Sequence, residues 1–341
     1  MESESCLWFS LDIRTACALY SYKDSHRQRF PPFLGATAHG LGRVSSARAQ
    51  CEHNLWLTCS SYHSSTSPFT LDFVLSCTEG PLGSYPIFIF TTAPFDTLLD
   101  TMYVYPRIKA LVDALLQNIP PERVFSVFAQ EPVTRVFTSL WEANTQISSY
   151  KTPYYAANLT YCTKQTFVNR STTLIPGISF TPRLAVESDI DAVASLCKGF
   201  AATSEPFTLC KKGAKKDAKY LIRRNYLWVL EAKCDGESSE IASIVAATRR
   251  SEKVAAITKV YTNPRWRKKG CAERLVRWAC RQLLKEKEYV ALYVAHNNPA
   301  AAGVYHRVGF VGLGDTSQQV DGVDPWLEIG FDQEAVRLGH W

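Results

Sequence analysis

The sequence predicts two α/β domains in tandem, the second a mixed sheet flanked by helices. Three observations carry this. The chain has 341 residues, long for one core and comfortable for two. Apolar runs of strand length alternate with amphipathic helical patterns along most of it. The order strand, proline-stopped turn, helix, strand, proline-opened helix occurs twice. Pro94 answers to Pro264 and Pro132 to Pro299, at an offset of roughly 170 residues, as in a duplicated unit.

Composition narrows the class. The hydrophobic fraction of 46% and charged fraction of 21% are those of a globular protein. A net charge of +6 suits an anionic small ligand but is too mild to argue for nucleic acid. No apolar run approaches the roughly 18 residues of a membrane span. The 11 cysteines are odd in number and form no Cys-x-x-Cys pair, so they read as reduced thiols of a cytoplasmic protein.

Residues 1 to about 85 carry the weakest pattern. Cys51, His53, Cys59 and His63 fit no tetrahedral metal template, and no metal is expected. The glycines between Gly35 and Gly42 precede no helix and read as a loop. From there Ile87–Thr91 is a strand, Tyr103–Leu116 a helix and Val124–Phe128 a strand. Glu131-Pro132 opens a helix, and Tyr155–Tyr161 is a strand. Asn169 to Pro182, rich in Ser, Thr, Pro and Gly, is the expected linker. Beyond it Ser179–Ala185 is a strand, and Ser188 to Asp191 has the form of a capping box opening a helix. Thr203 to Lys219, with five lysines, reads as a solvated loop. Leu227–Glu231 and Ile241–Ala247 are strands joined around Asp235-Gly236, and Trp326–Phe331 is a last strand.

The most informative stretch is Val254 to Phe310. The strand Val254–Thr262 is stopped by Pro264, since proline cannot donate to a ladder. A basic turn, Arg267-Lys-Lys-Gly-Cys-Ala272, runs into a helix striped by Ala272, Leu275, Val276, Ala279 and Leu283. Glu273, Arg274, Arg277, Arg281 and Lys285 are read as mostly off the stripe. Cations and a glycine at a helix N-terminus make an anion site. A strand, Tyr289–Ala295, follows, and then Asn298-Pro-Ala-Ala-Ala-Gly-Val-Tyr305, closed by Gly309-Phe310.

The spacing Arg267-x-x-Gly270-x-Ala272, followed by Asn298, Ala301, Tyr305 and Gly309-Phe310, resembles the two signatures of the GNAT superfamily of N-acetyltransferases. The resemblance covers roughly residues 180–331. It implies a GNAT acyl-CoA N-acyltransferase fold for residues 173–341, the expected catalytic domain. Residues 1–172 are the expected N-terminal α/β domain, a degenerate GNAT-like copy or an unrelated α/β unit. It further implies acetyl-CoA, or another acyl-CoA, as cosubstrate and no metal.

In that reading Arg267, Lys268, Lys269, Gly270, Cys271 and Ala272 cradle the pyrophosphate, with Cys271 ranked as packing. The backbone of Lys259, Val260 and Tyr261 positions the thioester on a strand that splays from its neighbour. Asn298 bonds the cofactor or caps its helix, and Tyr305 is the acid that protonates the leaving thiolate. Some relatives carry a glutamate base where Tyr293 stands here; His296 and Glu328 are weighed instead and neither is chosen. The acceptor pocket is expected from Lys198 to Pro206 with Tyr261, Tyr293 and His296. A small-molecule amine is favoured over a protein lysine or N-terminus, with no nucleic acid or membrane partner and no statement of oligomeric state. The alternative is a non-catalytic CoA-binding module.

Overall fold

The computed structural model describes residues 43–48, 54–61, 70–80, 82–171, 173–314 and 320–340. Cys51, His53, His63 and the glycines of 35–42 lie outside them. The described residues form two units. One comprises those up to Ala157 with those from Asp324 on; the other is Asn158–Val323.

In chain order the first unit contributes strands β1 (Arg43–Arg48), β2 (Leu55–Ser61), β3 (Thr70–Cys77) and β4 (Ile87–Thr91). Helix α1 (Thr101–Leu116), strand β5 (Ser126–Gln130) and helix α2 (Glu131–Thr145) follow. The chain enters the second unit along β6 (Tyr155–Thr163). There it makes β7 (Ile178–Leu184), α3 (Ile190–Ala201), α4 (Lys211–Arg223), β8 (Leu227–Cys234), β9 (Glu240–Arg250) and β10 (Val254–Thr262). It continues through α5 (Cys271–Leu283), β11 (Tyr289–Ala295) and α6 (Pro299–Val308), and returns to the first unit as β12 (Pro325–Gly330).

Both units repeat one topology. The first orders its strands β1-β2-β3-β4-β5-β12, the second β7-β8-β9-β10-β11-β6. Each begins with antiparallel strands and has one parallel pair, β4 with β5 or β10 with β11. A helix bridges that pair, as a parallel connection needs. Among the described residues the halves differ in one layer. Helices α3 and α4 lie between β7 and β8, whereas only residues 49–54 separate β1 from β2.

Three expectations are corrected. The boundary is not at residue 172. β6 runs on to Thr163 and crosses from one unit into the other, and the last strand belongs to the first unit, pairing antiparallel with β5 from Trp326↔Gln130 to Gly330↔Ser126. The lysine-rich stretch is not a loop throughout. From Lys211 it is helix α4, because Ala214, Asp217, Ala218, Leu221 and Ile222 make a buried stripe while Lys211, Lys212, Lys215, Lys216 and Lys219 face solvent. The capping box is not Ser188 to Asp191: Asp189 closes the turn Glu187–Asp189 before α3, its Oδ2 accepting from the Val186 N–H at 2.9 Å and its carboxylate gripping Arg183, and it gives α3 no side-chain cap.

The second unit packs two apolar layers on its sheet. One joins Leu275, Val276 and Ala279 of α5 to Val245, Ile257, Val290, Leu292, Tyr305 and Phe310. The other joins Val193 and Cys197 of α3 and Ala218 and Leu221 of α4 to Val229, Ile244 and Ala246. The closing Gly309-Phe310 has a steric reason. Gly309 adopts φ +111° at the end of α6, and a Cβ there would run into the Thr166 carbonyl. Gly309→Ala should destabilise the second unit by about 2 kcal/mol or more; chemical denaturation checks this, and an unchanged midpoint contradicts it.

Candidate active site

Strands β10 and β11 pair in parallel from Val254↔Tyr289 to Ile257↔Leu292, and the pairing ends there. Both strands run on, to Thr262 and Ala295. The edge of Lys259, Val260 and Tyr261 towards β11 is therefore free of a ladder partner, while their other edge stays paired with Ala246, Val245 and Ile244. An unpaired strand edge offers N–H and C=O groups to an extended ligand.

A double irregularity sits beside this opening. The register steps from Ala247↔Ile257 to Ala246↔Lys259 on one side and to Arg249↔Ala256 on the other. Thr258 and Thr248 are thus the surplus residues, and their hydroxyls bond each other at 2.9 Å. The bulge changes which way side chains point. Ile257 and Val260 both join the α5 layer, and Lys259 and Tyr261 turn to the α3–α4 layer. Alternation on β11 puts Leu292 and Val294 on the α5 side and Tyr293 on the other.

The turn after β10 is anchored at its base and open at its tip. Asn263 caps it by accepting from the Arg265 N–H at 3.1 Å, and the buried Trp266 donates Nε1–H to Glu240 at 3.0 Å. Arg265 is committed to Glu237 and Glu240, away from the tip. Lys268 and Gly270 are both left-handed, at φ 60° and 72°. Gly270 is the N-cap of α5 and brings no side-chain acceptor, so the first-turn N–H groups are available to an anion. An added Cβ at Gly270 would occupy the open space before the helix, its nearest neighbour Arg274 Nε at 3.9 Å. Arg267 and Lys268 are exposed and Lys269 half-buried. Arg267 lies across the Tyr261 ring, its guanidinium 5.6 Å from the centroid, with Nη2 3.4 Å from the phenol oxygen. Cys271 points inward, bonding the Trp266 carbonyl, and burial pushes its thiol up to about 11.

Helix α6 brings the second set. The Asn298 side chain accepts from the Ala301 N–H at 3.1 Å, so it caps the helix. Tyr305 is buried with its ring 5.7 Å from Phe310, in the layer that also holds Val260 and Val294 of the two diverging strands. His296 stands apart. It is exposed, with Nε2 3.0 Å from Asn158 Oδ1. Glu328 is sealed in the core of the first unit, where its Oε1 accepts from Ser126 at 2.7 Å. On the α3 side, Gly199 lets the Tyr261 ring close in; an added Cβ would meet the phenol oxygen at 2.6 Å. That places Gly199, within the expected Lys198–Pro206 segment, against Tyr261.

Two features beside the site were not legible as such. Lys259 forms an ion pair with Asp217 of α4, both nearly buried; a lone Asp in an apolar helix stripe was the available signal. Arg277, read as surface, is among the most buried side chains. It joins Arg170 and Arg307 on Glu273 and donates to the Val168 and Arg307 carbonyls. The network ties the first turn of α5 to the end of α6.

In the first unit the corresponding parallel pair also ends early, at Phe88↔Phe128, with β4 running on to Thr91. Its bridging helix has no anion site. Asp100 caps α1 by accepting from the Met102 N–H at 2.9 Å, and a carboxylate there repels phosphate.

Residues 196–310 match the model of the acetyltransferase (GNAT) family, and this part of the chain is a GNAT acetyltransferase domain. An X-ray structure of a Drosophila protein is 12% identical, covers 82% of this chain and 79% of its own, and superposes with a TM-score of 0.52. That likeness concerns the fold. A tandem GNAT protein from the clavulanic acid biosynthesis pathway, solved without acetyl-CoA, is 11% identical over 97% of this chain and 95% of its own, at a TM-score of 0.44. A GCN5-related N-acetyltransferase from Sphaerobacter thermophilus is 13% identical over 82% and 81%, at 0.47. No curated protein matches the chain. Among the described residues no helix is long and apolar enough to cross a membrane.

Burial alone would raise the Glu273 carboxyl, yet Arg170, Arg307 and Arg277 hold it down at about 2 against an ordinary 4.5. A carboxyl with a depressed folded pKa contributes stability above its unfolded pKa, and that contribution fades as pH falls towards the folded one. The gap in thermal midpoint between the intact chain and Glu273→Gln should therefore be full at neutral pH and close between about 4.5 and about 2. Thermal scans across that range test it; a gap constant with pH would contradict the network's charge.

Proposed function

We propose that the second unit transfers an acyl group from acetyl-CoA, or another acyl-CoA, to a primary amine by direct attack in a ternary complex. The single observation that carries this reading is the free edge of Lys259–Tyr261, followed directly by an uncapped helix N-terminus. One arm of an extended thioester would pair with the edge, and its pyrophosphate would meet the α5 N–H groups with Arg267, Lys268 and Lys269. The acyl thioester supplies an activated carbonyl. An N–H of the free edge donates to the oxygen that gains charge as the amine attacks.

Tyr305 is the acid in this scheme. A phenol is neutral at working pH and can hand its proton to a departing thiolate. It shares its apolar layer with Val260 and Val294 of the diverging strands. Direct transfer is supported by the cysteines beside the site. Cys271 is turned into the core with its thiol pushed up to about 11, and burial pushes Cys197 up to about 12; both are poor nucleophiles. Asn298 acts through the helix it caps.

The acceptor site lies on the α3–α4 face, by Tyr261 and Tyr293, and a small-molecule amine is the favoured acceptor. One observation favours a second reading, a non-catalytic CoA-binding module: Tyr293 stands where some relatives have a glutamate, and Asp217, the nearest buried carboxylate on that face, is taken up by Lys259. Tyr305→Phe separates the two. For an enzyme, turnover followed by thiol release should fall roughly a hundredfold with acetyl-CoA affinity nearly unchanged. Binding without turnover in the intact chain, over a panel of amines, would establish the module instead.

A further inference from the structure

The acyltransferase reading leaves a buried ion pair unused. Lys259 and Asp217 have side chains only 12% and 9% exposed, and Nζ meets Oδ2 directly. Such a pair is weak evidence for stability, because burying two charges costs most of what their attraction returns. Apolar pairs of similar volume often serve as well or better. What distinguishes this pair is its place.

Lys259 is the first residue of β10 after the bulge, where pairing with β11 has already ended. One edge of this segment has β9; the other has no strand. Its remaining support comes from the face. The bulge directs the Lys259 side chain to α4, where Asp217 receives it. The last turns of α3 close on the same point. The Phe200 ring centre is 5.4 Å from Lys259 Nζ, the buried Cys197 thiol lies beside Asp217, and Tyr261 packs on Gly199. Three elements thus meet at one carboxylate, directly behind the free edge.

We infer that Asp217 is a positioning residue for acyl transfer: through Lys259 it fixes the direction of the free β10 edge and sets α3 and α4 against it. The inference rests on the acyltransferase reading. It weighs on chemistry more than on phosphate binding, because the α5 helix whose first-turn N–H groups meet the pyrophosphate packs on the other layer of the sheet, although Arg267 of its turn reaches Tyr261. Loss of the pair should misplace the thioester and the acceptor wall while the α5 N–H groups that meet the pyrophosphate stay in place. A small misplacement of reacting groups is costly in rate.

The test uses the full chain with Asp217→Asn, and with Asp217→Leu combined with Lys259→Met, a pair that leaves no buried charge should the single variant fail to fold. Thermal midpoint, acetyl-CoA affinity by calorimetry, and kcat and KM with an amine that turns over are measured together. The double variant should keep its midpoint within a few degrees and its acetyl-CoA affinity within about threefold, while kcat falls tenfold or more. A double variant with unchanged kcat, or one that loses affinity in step with kcat, overturns the inference and leaves the acyltransferase reading standing. An intact chain that releases no thiol with any amine overturns both.

Discussion

The structure depends on a parallel pair of strands that stops pairing before either strand ends. Parallel neighbours need a long crossover, and here that crossover is α5 with its basic turn. The same connection that makes β10 and β11 parallel therefore delivers a helix N-terminus to the end of β10. Divergence beyond Ile257↔Leu292 then leaves backbone groups of Lys259–Tyr261 unpaired, a costly arrangement unless something polar fills it. Fold and site share one cause. The bulge at Thr258, sealed by the Thr248 hydroxyl, keeps the strand attached to β9 while its other edge opens.

The two units differ in small ways at this place. Both have a parallel pair that parts early and a helix bridging it. In the second unit the helix begins at Gly270, which has no side chain to quench the first-turn N–H groups. In the first unit it begins at Asp100, whose carboxylate already holds one of them. Among the described residues of the first unit no helical layer lies between β1 and β2, and none of them is a counterpart of Asp217.

Much of the second unit was legible because local rules and fold agree there. Strands Val254–Thr262 and Tyr289–Ala295 have the bounds their apolar runs suggest, and Asn298-Pro299 opens a helix as an N-cap followed by proline should. The failures have physical reasons. The start of α4 reads as a loop in the sequence because its five lysines outweigh the spacing of its few apolar residues. Arg277 reads as surface in the sequence because the pairing that pulls its guanidinium inward comes from Glu273 and in part from a carbonyl more than a hundred residues away. The exchange of the last strand could not be seen at all, since nothing local says which sheet a strand joins. The bulge hides for a similar reason: Thr258 is an ordinary strand residue until its partner strand is known.

The most direct test of the central claim is amide hydrogen exchange of the full chain with and without acetyl-CoA. The account predicts slowed exchange at Lys259–Tyr261 together with the first turn of α5, and no change at Ile89–Thr91 in the first unit. Binding that leaves those amides unprotected, or that protects the first unit instead, would contradict it.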